Sequence, residues 1–450
     1  IQHVFYIVKE NRTYDQVLGD DRRGDGDPKL TLFGKKYTPN FHALARRFPL
    51  LDHVYADSEA SIDGHYWTAA GAVSDYVIRN WHQNYAGRGR PYDFGSYEVS
   101  APPKGYLFER MLQAGISFFN YGEALAGLSP FPDKDKTGAE QATAEQVLGN
   151  SDVGLVVGTP PPLPNVCYDS DLSNSTVLSQ GAVQVYDSSL PPGAPSGSHS
   201  RFACFKARFQ LQLATTGVPT FNYIVLPNDH TEGTTPGRRT PFAEVASNDW
   251  ALGQIVDTIS HSSIWKHSLI VVQEDDSQDG ADHVDAHRIP ALAISPYAKR
   301  GAVVHTRYDQ ISILRTVELV MGLKPKNLAE ALGVPLYNAF SGAPKNSSPY
   351  RAITPKVDMT AVNHAKTTPA AKVSANLPLS TLDQVSQSTL DGILWKFVHG
   401  SHAHPPPAGP NASTSDADPG ENVPLPRVSP HQGRRLRALH RAYRQHSGNR

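Results

Sequence analysis

The chain has 450 residues, 39% of them apolar and 9% aromatic, with a formal charge of −1 at pH 7. Such a length and apolar share suit a globular protein with a large core and not a disordered chain. A charge this close to zero argues against nucleic-acid and membrane-surface partners, and no run of about 18 apolar residues exists to span a bilayer.

The sequence opens on "IQHVFYIV" without a methionine, so a leader or upstream segment is expected to have been removed. Residues 3–8, HVFYIV, are continuously apolar and β-branched, the pattern of a strand covered on both faces. The run ends in "KENRTYDQVLG", where Glu10 and Asn11 offer the oxygen ligands that hard cations prefer. Further on, "YADSEASIDGHYWTAAGA" places Ser61 at the start of a small-residue stretch that reads as a helix. A helix there aims backbone N–H groups and the positive end of the dipole at the hydroxyl. Ser58 is a rival nucleophile, and a plain helix cap is the structural alternative for Ser61. G-x-S-x-G is missing, so a nucleophile elbow is not supported.

Residues 125–215, with "GTPPPLPN" and "SLPPGAPSGS", read as an insertion on the sheet. It holds both cysteines, Cys167 and Cys204, which close a disulfide if the protein is exported or stay as thiols if it is not; the disulfide is the favoured expectation. A second strand is expected at 221–226, followed by "LPNDHTEG" with Asp229, His230 and Glu232. Thr240 then caps a helix with Pro241 at its first position and Phe242, Val245, Leu252, Ile255, Val256 and Ile259 on one face. The strand at 268–273 runs into "EDDSQDGADHVDAH", six acids and two histidines, before another apolar run at 290–295. Adjacent carboxylates repel unless a cation or proton lies between them, so a cation is the physical reason for so many acids at one strand end. His305 follows in "VVHTRYDQ", and Asp309 and Gly322 bracket a last core helix. Residues from about 396 turn Pro-rich and then Arg-rich, the composition of a disordered tail.

Strands alternating with helices give an α/β fold with helices on both faces, whose ligands bind beyond the carboxyl ends of the strands. Four of those ends carry ligand-type clusters.

Together "HVFYIVKENRTYDQVLGD", "ADSEASIDGHYW", "YGE", "PNDHTEG" and "EDDSQDGADHVDAHRIPALAISPYAKRG" resemble the bacterial phosphoesterase family of phospholipases C and acid phosphatases, within the alkaline phosphatase superfamily. The resemblance spans residues 1 to about 395. It implies a three-layer α/β/α sandwich with a loop-rich insertion, an exported location, and hydrolysis of a small-molecule or lipid phosphate ester. It also implies a divalent cation held by Glu10, Asn11, Ser61, Asp275 and Asp276, with Ser61 the nucleophile. His230 and His283 are implied as proton-transfer residues, and His65, Asp229 and His305 as phosphate-binding residues; Asp229, His230 and His305 fall near positions that in the wider superfamily bind a second metal or the phosphoryl oxygens. Two glycines of the phospholipase pattern are missing, and Asp275-Asp276 stands where two-zinc members have Asp-His, which favours one ion, with two the alternative. A sulfatase on the same core is a weaker fit, because "SIDGH" is not C/S-x-P-x-R, and a non-catalytic metal-binding surface protein is the other alternative. Substrate, metal identity and oligomeric state stay open at this level.

Overall fold

The computed structural model describes residues 1–85, 99, 102, 104–121, 201–278, 280–364, 368–377 and 385–406. Seven strands of this part form one sheet. They are β1 (His3–Lys9), β2 (Leu50–Leu51), β4 (Phe118–Tyr121), β5 (Phe221–Leu226), β6 (Ser268–Glu274), β7 (Ala291–Ile294) and β8 (Val303–Val304), ordered β4-β5-β1-β6-β7-β2-β8. β3 (Val54–Tyr55) and β9 (Tyr308–Asp309) form a separate parallel pair.

Side-chain alternation along the central strands explains why their sequences are apolar throughout. Val4, Tyr6 and Val8 of β1 enter a core on one face with Tyr66, Phe108, Leu314 and Val317 from the helices Ser61–Ala70, Leu107–Ala114 and Gln310–Met321. Phe5 and Ile7 enter the opposite core with Phe41, Phe205, Leu252 and Ile255 from the helices Pro39–Arg47, Arg201–Ala214 and Pro241–Ser260. Two cores separated by one sheet make a three-layer α/β/α sandwich.

Local signals fix the helix ends. The Thr240 hydroxyl accepts the Ala243 N–H at 3.3 Å and Pro241 opens the helix; Asp309 accepts the Ser312 N–H at 2.7 Å, and Gly322 closes its helix at φ +74°. Phe242 leaves the main core and packs against a third cluster that includes Leu390 and Leu394.

β1, β4, β5 and β6 run parallel, whereas β7 is antiparallel to β6 and to β2. The 275–290 connection has no crossover helix, so the chain turns back and enters β7 in the opposite sense. Residues 201–214, expected within the insertion, form a helix on the sheet. Residues 122–200 and Cys167 lie outside the described residues, as does the Cys204 side chain. The final described helix, Gln387–His399, continues past the expected boundary at 395 and is tied to the body by the Gln16 amide donating to Asp391 at 2.8 Å. No helix among the described residues is long and apolar enough to cross a membrane.

Candidate active site

β1 sits between β5 and β6, and Lys9 is in register with Leu226 on one side and Glu274 on the other. Three strand ends therefore deliver Glu10 and Asn11, the Pro227–His230 turn, and Asp275 and Asp276 side by side. The ladder reaches one residue further, with the Asp275 N–H donating to the Lys9 carbonyl at 3.0 Å.

Ser61 is the first residue of the helix Ser61–Ala70, entered through extended Ala60. The Asp63 carboxylate folds back to accept the Ala60 N–H at 2.9 Å and the Glu59 N–H at 3.1 Å, fixing the entry. Burial lifts the Asp63 carboxyl to about 7. The Ser61 hydroxyl donates to Asp276 Oδ2 at 2.9 Å and accepts from the Asn11 amide at 3.1 Å. That amide also donates to Asp276 Oδ1 at 2.6 Å, and the Gln278 N–H reaches the same oxygen at 2.6 Å. Ser58 is placed differently, its hydroxyl donating to the Asp275 backbone carbonyl at 2.7 Å. One turn after Ser61, His65 Nε2 stands 3.2 Å from Glu10 Oε1 and 3.6 Å from Asp275 Oδ2.

Asp275 is fully buried, and neither carboxylate oxygen has a hydrogen-bond partner; the Asn11 amide oxygen is orphaned in the same way. Burial first, then the like charges of Asp276 and Glu10, hold the Asp275 carboxyl well above the usual carboxylate range. Ligand atoms of Glu10, His65 and Asp275 lie within 4.8 Å of one another. Leaving a buried carboxylate unpaired costs several kcal/mol. Crowded oxygens with orphaned lone pairs are the donor set a hard divalent cation satisfies, so these residues fit the implied metal.

Sequence reasoning missed the support beneath this group. Lys9 is buried and bridges Asp229 and Glu274, at 2.9 Å to the latter. Asp229 completes its coordination with the Glu10 N–H and the Asn248 amide, each at 3.1 Å, so its carboxylate holds the β1 end and not the Ser61 group. A buried lysine looks like an ordinary strand terminus in sequence. Gly64 left a readable signal, a glycine one turn into a helix. A Cβ there would meet the Asp275 carbonyl oxygen at 2.2 Å, so only glycine lets the helix approach the β6 end this closely.

The expected histidines separate. His230 follows β5, its Nδ1 donating to the Thr231 carbonyl at 2.9 Å, so Nε2 carries the lone pair of the neutral ring. Burial lowers its pKa against the opposing charge of Glu10. Thr231 holds φ +64°, a conformation costing roughly 1–3 kcal/mol for a β-branched residue and a mark of positions held for function. His283 is instead engaged through Nδ1 by Asp15 at 2.6 Å and through Nε2 by Asp25 at 3.3 Å. His305 pairs with Asp52 at 2.8 Å. Of the expected set, the fold gathers Glu10, Asn11, Ser61, His65, Asp275 and Asp276, with His230 beside them, and sends Asp229, His283 and His305 to other partners.

Compared with known proteins, residues 24–324 match the model of the Phosphoesterase family. This span exceeds half of the chain. The protein is a hydrolase acting on ester bonds, built on a three-layer α/β/α sandwich. It belongs to the Phosphoesterase family. The matched span holds every gathered residue except Glu10 and Asn11, which precede it. No curated protein matches the chain. Among solved structures it is similar to a protein in the alkaline phosphatase superfamily from Vibrio parahaemolyticus (16% identity, 74% of this chain and 69% of that one, TM-score 0.44). It is also similar to the phosphonate monoester hydrolase of Agrobacterium radiobacter (13%, 76% and 78%, TM-score 0.47) and to the sulfatase PsFucS1 from Pseudoalteromonas sp. (12%, 78% and 73%, TM-score 0.44). Likenesses this distant assign neither substrate nor site residues.

Proposed function

We propose that this chain hydrolyses phosphate esters, of a small molecule or a lipid headgroup, by transferring the phosphoryl group to Ser61 and then to water. The observation that carries the reading is the Ser61 hydroxyl held between the Asn11 amide and the Asp276 carboxylate at a helix N-terminus. Asn11 orients the oxygen, while Asp276 accepts its proton, which a serine must lose to act as a nucleophile. The first turn of the helix turns its N–H groups and positive dipole end toward an incoming phosphoryl oxygen. Glu10, Asn11, Ser61, Asp275 and Asp276 would hold the cation, beside His65. A bound divalent ion lowers the pKa of a coordinated hydroxyl and neutralises charge developing on the phosphoryl group.

His230 suits the second half-reaction. With Nδ1 fixed on a carbonyl and its pKa below the ordinary 6.5, the ring is neutral near pH 7 and Nε2 takes the proton of the attacking water. This gives the proton-transfer role expected of His230 a direction, from water to the ring. His283, bound on both nitrogens, has no part in the reading.

Turnover of p-nitrophenyl phosphate and bis-p-nitrophenyl phosphate, with and without chelator, tests this function. The reading expects hydrolysis of at least one, lost on chelation, regained with a divalent ion and abolished in Ser61→Ala. A chelator-resistant activity, or no turnover of either ester, contradicts it; the latter leaves a metal-binding protein without catalysis.

A further inference from the structure

The short strands β2 and β8 pair in parallel, with Leu50 opposite Val303 and Leu51 opposite Val304. Their next residues, Asp52 and His53 on one side and His305 on the other, therefore leave the sheet at the same edge although 253 positions separate Asp52 from His305. Asp52 is fully buried. Its Oδ2 accepts the Asp25 N–H at 3.0 Å and pairs with His305 Nδ1 at 2.8 Å, while its Oδ1 is buried without a hydrogen-bond partner. Ligand atoms of Asp52, His53 and His305 all lie within 4.8 Å of one another.

A neighbouring group of two acids and one imidazole, Asp15, Asp282 and His283, already holds a cation. Arg288 is fully buried between the two acids, with NH2 3.1 Å from Asp15 and Nε 3.0 Å from Asp282. At Asp52 this guanidinium reaches only the backbone carbonyl, at 3.2 Å. Four aspartates (15, 25, 52 and 282) thus share one permanent cation across the contacts of this patch. Asp25 also stands 3.5 Å from His53 Nε2, the carboxylate-to-imidazole arrangement that orients a ligating histidine, and the Tyr55 hydroxyl, 3.1 Å from Nδ1, is the contact the ion would replace.

We infer that Asp52, His53 and His305 form a second metal site, separate in residues and chemistry from the oxygen-rich group around Ser61. Two imidazoles and one carboxylate select a borderline transition ion of the Zn²⁺ type over Mg²⁺ or Ca²⁺. Ligand atoms around a tetrahedral ion lie about 3.4 Å apart for bonds of ~2.0–2.1 Å. Small rotations of the histidine rings bring the three donors to that spacing, since the His305 side chain is 65% exposed and the His53 side chain 21%. Such an ion clips the 52–53 turn to the 305 turn, closing the sheet edge formed by its two shortest strands.

The site does not depend on the Ser61 reading, and the test keeps the two apart. Metal-free wild type, the His53→Ala/His305→Ala double variant and Asp276→Asn are titrated with Zn²⁺, with stoichiometry read by native mass spectrometry and Tm by calorimetry. Wild type is expected to take up one more Zn²⁺ than the double variant, and Asp276→Asn to keep a Zn²⁺-dependent rise in Tm that is lost when His53→Ala/His305→Ala is added to it. Equal stoichiometry in wild type and double variant overturns the proposal. Should the double variant fail to fold, histidine modification of the wild type by diethyl pyrocarbonate decides. Protection of His53 and His305 by Zn²⁺ but not Mg²⁺ supports the site, and equal modification with either ion overturns it.

Discussion

Replacing Lys9 with methionine keeps an unbranched side chain one atom shorter and removes the charge beneath the proposed catalytic group. The side chains of Lys9, Asp229 and Glu274 are 5%, 1% and 0% exposed, so the loss leaves two carboxylates with no solvent to turn to. Breaking a buried ion pair from one side costs about 3–5 kcal/mol, a large share of the roughly 5–15 kcal/mol that holds a domain folded. Burial already pushes both carboxyls up, with Lys9 the opposing influence, so without it they rise further. A folded pKa raised above the unfolded value stabilises at low pH and loses that contribution as pH climbs through the folded pKa. The deficit of Lys9→Met is therefore smaller at pH 5 than at pH 8. Adding Glu274→Gln removes one orphaned charge and is expected to return about 1–2 kcal/mol. Urea denaturation across that pH range measures both. A deficit under about 1 kcal/mol, or one that shrinks as pH rises, refutes the argument that this lysine balances the strand-end acids.

Gly64→Ala forces a methyl onto the Asp275 carbonyl oxygen; it is expected to destabilise by about 1–3 kcal/mol and, by shifting Ser61 from Asp276, to lower kcat on the order of 10²-fold. Stability and turnover measured on the same preparation check this. His230→Gln is expected to remove the acid limb of the kcat profile, which in wild type falls below 6.5 because burial lowers the histidine. A pH–rate series of both proteins tests it. Asp249 accepts the N–H groups of Asn40 and Phe41 at 2.9 and 2.8 Å, capping the neighbouring helix, and burial lifts its carboxyl to about 6. Its protonated form stabilises below about pH 4, and this is lost as pH rises through 6, on the order of 2–3 kcal/mol. Asp249→Asn is expected to flatten the stability profile over that interval, as read from thermal unfolding at several pH values.

Long-range partners, not local pattern, separate what could be read from sequence from what could not. The four apolar runs became β1, β5, β6 and β7, and the caps at Thr240 and Asp309 hold their helices, because burial of a strand and satisfaction of a helix end are written within a few residues. β2 and β8, two residues each, carry no period to detect. The direction of β7 depends on the helix-free 275–290 connection, which composition does not reveal. In the candidate site, the meeting of Glu10, Asn11, Asp275 and Asp276 was legible because a parallel sheet brings strand ends together. The placement of His283 and His305 was not, since Asp15, Asp25 and Asp52 compete for them from distant positions. Ser58 and Ser61 are three residues apart and alike in sequence; only their acceptors, a carbonyl and a carboxylate, distinguish them.

Acid-quenching the enzyme during turnover of p-nitrophenyl phosphate, followed by peptide mass mapping, reads the nucleophile directly. A phosphoryl adduct on Ser61, absent from Ser61→Ala, is the predicted result. An adduct on Ser58, or continued turnover by Ser61→Ala, would contradict the account.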